Sequence, residues 1–152
     1  MMVISILTRR LKKGKTYDDF RKAWYHTVGY GFPIKLYSAI NAFDQREIIV
    51  VGLGEIKPEQ DPSKLIQIEV NERLEHPLEA VIEPEVGRTF GIVVSGDDFS
   101  PAGHMAYKPA SINGKETDMK EIAAGLEMVR EIFTRAAAER ETARKGRRLP
   151  RK

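Results

Sequence analysis

The spacing of apolar residues changes period twice in the first third of the chain. Val3 to Leu11 (VISILTRRL) is rich in β-formers at its start and predicts a strand that leaves into the basic turn Lys12-Lys13-Gly14-Lys15. Tyr17, Phe20, Trp24 and Val28 then recur at helical spacing, so Thr16 to Tyr30 predicts a helix with one aromatic face. Thr16 with Asp19 three residues on approximates a capping box, and acidic residues in the first turn suit the helix dipole. Gly29 and Gly31 end this helix and Pro33 forbids its return. Lys35 to Phe43 and Glu47 to Ile56, joined by Asp44-Gln45-Arg46, predict an antiparallel hairpin.

Asp61-Pro62 has the chemistry of a helix opening, Asp at the cap and Pro at the first position. Ile66, Val70, Leu74 and Leu78 follow at i, i+4 spacing, which predicts a second helix broken near His76-Pro77 and resuming to about Ile82, stopped by Glu83-Pro84-Glu85. Gly87 to Ser95 predicts the fourth strand, and residues 97–115, full of turn formers, a long loop. From Thr117 onward Met119, Ile122, Leu126, Val129, Phe133 and Ala136 form a heptad-like seam on a last helix. The order is βαββαβ plus a C-terminal helix. It predicts an α+β, ferredoxin-like domain over residues 1–137, with a four-stranded antiparallel sheet carrying two helices on one face. Residues 138–152 lack apolar periodicity and predict a disordered basic tail.

A sheet with helices on one side should alternate apolar and polar residues. The third strand does not, because Ile48, Ile49, Val50, Val51 and Leu53 fill both faces, and Phe90, Ile92, Val93 and Val94 suggest the same for the fourth. Leaving several such side chains wet forgoes several kcal/mol at ~25 cal/mol per Å². The second face therefore needs a cover, either the C-terminal helix or a second copy of the chain.

The strand ISILTR, the helix FRKAW with its trailing His26, and the hairpin ending in IIVVGLGE are similar to the dimeric α/β-barrel superfamily, over roughly residues 3 to 96. That group includes antibiotic-biosynthesis monooxygenase-like and EthD-like proteins. The resemblance implies a homodimer with sheets face to face and a pocket between sheet and helices in each subunit. It implies ligand-binding roles for Phe20, Trp24, Tyr30, Tyr37 and Asn41, with His26 as the candidate catalytic acid or base. EthD-like members carry a His one turn after the Trp, where this chain has Val28. Haem-degrading relatives use an Asn on the first strand and a Trp on the third, and neither strand has one here.

Charge changes the picture only at the end of the chain. The net charge of +3 resolves into +5 over residues 138–152 (seven Lys/Arg against Glu139 and Glu141) and therefore −2 over residues 1–137. An RNA-recognition domain with the same element order would stack bases on aromatics of the first and third strands. VISILTR and EIIVVGLG have none, which leaves the tail as the only segment suited to nucleic acid. Cysteine is absent, so disulfides and thiolate metal sites are excluded and a cytoplasmic setting is expected. The apolar run Val3 to Leu7 is too short for a signal segment, and no stretch reaches the ~20 apolar residues of a membrane span. Gly52-x-Gly54 lacks the third glycine and the helix of a dinucleotide fingerprint, and His26, His76 and His104 have no ligand spacing, so neither cofactor nor metal is expected. The sequence leads to a small-molecule-binding homodimer, in its catalytic form a cofactor-independent oxygenase or isomerase. Its alternatives are a non-catalytic binding or structural dimer and a nucleic-acid-associated protein acting through the tail.

Overall fold

The computed structural model describes residues 1–24, 29–57, 62–75 and 77–148. It is a mixed α+β fold in the order β1 (Met2–Leu11), α1 (Tyr17–Ala23), β2 (Ile34–Ile40), β3 (Glu47–Glu55), α2 (Pro62–Glu75), β4 (Ile82–Ile92), a small hairpin β5 (Ser111–Ile112) and β6 (Lys115–Glu116), and α3 (Met119–Arg148). The main sheet runs β2-β3-β1-β4 with every neighbour antiparallel. β1 and β2 thus flank β3 while β3 and β4 flank β1, so each of the first two helical connections crosses one strand. No helix among the described residues is long and apolar enough to cross a membrane.

Register assigns the faces. Ser5 lies opposite both Gly52 and Phe90, Leu7 opposite Val50 and Arg88, and Leu36 opposite Gly52, so these residues share one side. On that side Leu11, Ile48, Val50 and Ile82 enclose Phe20 with Leu78 and Val81. Further along the same side, Ile92, Val3 and Phe90 pack against Ile122 and Val129 of α3. α3 in turn meets α2 through Val70, Ile132 and Ala136. The other side carries Ile4 and Ile6 of β1, Ile49, Val51 and Leu53 of β3, and Tyr37 of β2, and none of these joins the three core clusters of the described residues.

Several expectations need correction. The capping box is present, with the Thr16 N–H donating to Asp19 Oδ2 (2.9 Å) and the Asp19 N–H to Thr16 Oγ1 (3.3 Å), but α1 stops at Ala23. Trp24 leaves helical geometry (φ −123°, ψ 86°) while its N–H still bonds Phe20 O at 2.8 Å. Val28, with which the predicted aromatic stripe continued, lies outside the described residues, as does Asp61 before α2.

α2 does not resume after its break. Residues 79–81 turn, and β4 begins at Ile82, five residues ahead of the predicted Gly87. Pro84 does not prevent this, because β4 is an edge strand and the pairing is irregular there. Leu11 pairs with Ile82 and Arg9 with Val86, so β1 advances by two residues while β4 advances by four. Arg46 pins the corner, donating from Nε and Nη2 to Leu11 O (2.9 and 2.7 Å) and from Nη2 to Glu83 Oε1 (3.0 Å). β4 ends at Ile92, so Val93 and Val94 fall beyond it, and its residues on the second face are Gly87, Thr89 and Gly91. β1 and β3 supply the large aliphatic residues of that face.

The loop predicted for 97–115 contains β5 and β6, joined through Asn113 (φ 51°) and Gly114 (φ 79°). Asn-Gly is the residue pair that such a two-residue turn selects. α3 runs on to Arg148 rather than fraying after Ala138. Ala143 packs beside the Val70–Ile132–Ala136 cluster, and Arg144 reaches Glu79 at 3.5 Å, so part of the predicted tail is docked helix; residues 149–152 lie outside the described residues. The buried seam of α3 also differs from the apolar heptad: Ile122, Gly125, Val129, Ile132 and Ala136 face inward, whereas Met119 is 62% and Leu126 40% exposed. Gly125 decides this, because a Cβ there would stand 2.1 Å from Met1 Sδ and 2.6 Å from Ile92 Cδ1. The helix approaches the sheet through the position that has no side chain.

Candidate functional site

Between the helical layer and the sheet lies a partly open cavity of about 100 Å³. Its floor is the sheet: Val3, Ser5 and Leu7 of β1, Gly52 and Gly54 of β3, Ile34 and Leu36 of β2, and Arg88 and Phe90 of β4. Val129, Ile132 and Ala136 of α3 form one wall, and Trp24, Tyr30 and Phe32, from the connection between α1 and β2, form another.

The two glycines account for the depression. Both sit on the helix-facing side of β3, where the preceding positions of that side, Ile48 and Val50, are filled and buried. A Cβ at position 52 would lie 2.5 Å from Ser5 Oγ and 3.0 Å from Leu36 Cδ2; at position 54 it would meet Phe32 Cε2 at 3.1 Å. Along β3 the filled positions therefore stop at Val50, and the two glycines floor the hollow. Aromatic packing shapes the wall. Trp24 leans on Phe20 at 5.4 Å between centroids, and Tyr30 meets Phe32 edge-on at 6.0 Å.

Polar groups are few. Ser5 supplies a hydroxyl on the floor, Tyr30 a phenol in the wall, and Arg88 a guanidinium at the exposed rim on the edge strand, 5.7 Å from the Phe90 ring centroid. Arg88 is the only charged residue among the described residues lining the hollow. The displaced pKa values among the described residues lie elsewhere, two of them on α1. The Thr16 backbone N–H and then its hydroxyl hold the Asp19 carboxyl below its ordinary value, and the Asp18 carboxylate raises Lys22. Both groups belong to the solvated face of α1. An apolar hollow with a few convergent polar groups suits reversible capture of a small organic molecule.

The residues expected from sequence divide into three groups. Trp24 and Tyr30 line the cavity, and Phe20, 1% exposed, lies in the core next to Trp24 rather than on the surface of the hollow. Tyr37 and Asn41 are not brought to it. Tyr37 pairs with Val51 on the other side of the sheet and is 56% exposed. Asn41 serves the β2–β3 turn: its Nδ2 donates to Glu47 Oε2, and its Oδ1 accepts from the Phe43 N–H at 2.9 Å. His26 lies outside the described residues, as does His76, and His104 is exposed in the irregular segment before β5.

Sequence reading missed Ser5, Gly52, Gly54, Arg88 and Phe90. The signal was present in Gly52-x-Gly54, two glycines at strand period on one face of a central strand, which empties that face over two pleats. Comparison with family models, with curated proteins and with solved structures finds no match to this chain.

Proposed function

We propose that this chain is a small-molecule-binding homodimer whose βαββαβ order is ferredoxin-like and whose subunits pair sheet to sheet, as in the dimeric α/β-barrel type. The observation that carries the binding half is the glycine-floored cavity beneath Trp24, Tyr30 and α3. The pairing half is supported by the second sheet face. Two covers for it are conceivable, and α3 packs on the opposite side with the other helices. The remaining cover is a second copy. Strands of 10, 7, 9 and 11 residues offer a face that, at ~4.8 Å between strands and ~3.3 Å per residue, projects roughly 590 Å² before side-chain relief is counted. That approaches the ~800 Å² per partner of a stable interface. Its centre is Ile4, Ile6, Ile49, Val51 and Leu53.

In its catalytic form the reading is cofactor-independent oxygenase or isomerase chemistry with His26 as acid or base, and it predicts that His26→Ala abolishes turnover without lowering stability. Light scattering on dilute protein tests the pairing and should return twice the chain mass. Trp24 is the only tryptophan of the chain, so its emission reports on the cavity directly. A panel of phenols, quinones and small acids should include compounds that change it saturably. A monomer with an unresponsive indole would overturn the proposal.

A further inference from the structure

The cavity joins a small apolar body site to one cation among its described lining residues, and that pairing specifies a ligand class. At about 100 Å³ the hollow is smaller than the ~150 Å³ cavity that admits a benzene molecule. Because it is partly open, a ring or a short branched alkyl group can sit inside with one end at the rim. That end meets Arg88. Resting on the reading of this cavity as a ligand site, we infer that its ligand is a compact monocarboxylic acid, aromatic or branched, with the apolar body over Gly52 and the carboxylate on the Arg88 guanidinium.

Three features lead to this assignment. The body site is lined by Leu36, Trp24, Phe90, Val129 and Ile132, which reward hydrocarbon and offer little to a sugar or a polyol. Arg88 stands on an edge strand beside Leu7 and lies 5.7 Å from the Phe90 ring centroid, so its charged fork shares the ring that walls the hollow. A guanidinium matches a carboxylate through two parallel hydrogen bonds. Phosphate also binds guanidinium, but a dianion is left under-neutralised by one positive charge. The lining described contains no second cation, so the singly charged carboxylate is favoured. Ser5 on the floor, between Gly52 and Phe90 in register, adds a hydroxyl that suits a ring-hydroxylated acid.

Calorimetric titration with matched pairs separates this inference from the cavity reading beneath it. The probes are benzoate against benzamide and 3-methylbutanoate against 3-methylbutanamide, with inorganic phosphate as a third arm, all at neutral pH. For at least one pair the acid should bind about tenfold to a hundredfold more tightly than the amide, the range expected of a hydrogen bond to a charged group. Arg88→Gln should erase that preference and leave amide affinity unchanged, while Arg88→Lys retains part of it. Phosphate should bind weakly or not at all. Acid and amide binding alike, or phosphate competing as well as the acids, overturns the carboxylate assignment and leaves the cavity reading standing. No binding by either pair overturns both. Melting curves establish that the Arg88 variants fold; if Arg88→Gln does not, the acid-to-amide comparison in the wild type decides by itself.

Discussion

Replacing Trp24 with alanine should cost less stability than replacing Phe20, although the indole is the larger ring. Phe20 is 1% exposed and surrounded by Leu11, Ile48, Val50, Leu78, Val81 and Ile82. Truncating such a residue removes its transfer energy and leaves a closed void, ~3–5 kcal/mol in all. For a chain of this size each kcal/mol lowers Tm by ~2–4 °C, so the loss should be ~6–20 °C. Trp24 packs on Phe20 at 5.4 Å between centroids on one side and lines the cavity on the other. Where it faces the hollow it has few neighbours to lose, and the space vacated merges with one already open to solvent. The cost should be about half, ~1.5–2.5 kcal/mol. Urea titrations followed by circular dichroism measure both variants without relying on the indole. They need one fixed protein concentration, because any dimerisation would shift apparent stability. If Trp24→Ala costs as much as Phe20→Ala, the indole is an ordinary core side chain and the reasoning about the cavity wall is refuted.

Gly52→Val should fill the floor, forcing Ser5 Oγ and Leu36 Cδ2 aside from contacts of 2.5 and 3.0 Å; it should cost ~1–3 kcal/mol and abolish the response of Trp24 to ligands, as emission titration would reveal. Val50→Asp, in the core, should prevent folding, whereas Val51→Asp, on the second face, should give a folded monomer by light scattering; two soluble dimers would contradict the face assignment. Ending the chain at Ala138 removes the packing of Ala143 and should lower stability by ~1–2 kcal/mol in thermal melts, and an unchanged Tm would show that the docked end of α3 contributes nothing. Asp19 has a folded pKa below its ordinary 3.8, so its contribution is present above that value and disappears as pH falls through the folded pKa. The stability difference between wild type and Asp19→Asn should therefore shrink as pH falls through that folded pKa, and a constant difference in acid melts would exclude a role for the carboxylate charge.

Where sequence reading succeeded, local chemistry determined the structure. Thr16 and Asp19 form the expected cap, and Ile48 to Leu53 divide between two faces because the pleat assigns alternate residues to each. It failed where tertiary context overrode a local signal. Pro84 looks like a stop, yet an edge strand with an irregular register absorbs it. The apolar heptad of α3 points to Met119 and Leu126, and close approach to the sheet instead selects Gly125. The tail has no apolar stripe, but its Ala, Glu, Lys and Arg are strong helix formers, and pairs such as Lys145–Glu141 at 2.7 Å add support along the helix. The cavity was half legible. Trp24 announced itself by size, but a hollow is made by what is missing, and Gly52 and Gly54 acquire meaning only once Ser5, Leu36 and Arg88 are placed around them.

Native mass spectrometry of the protein purified from its own source tests ligand binding and pairing in one spectrum. The account predicts a species at twice the chain mass carrying a small organic molecule, released on collisional activation, with one molecule for each subunit. A spectrum showing only bare monomer, from material that melts cooperatively, would contradict both the ligand-binding cavity and the sheet-to-sheet dimer.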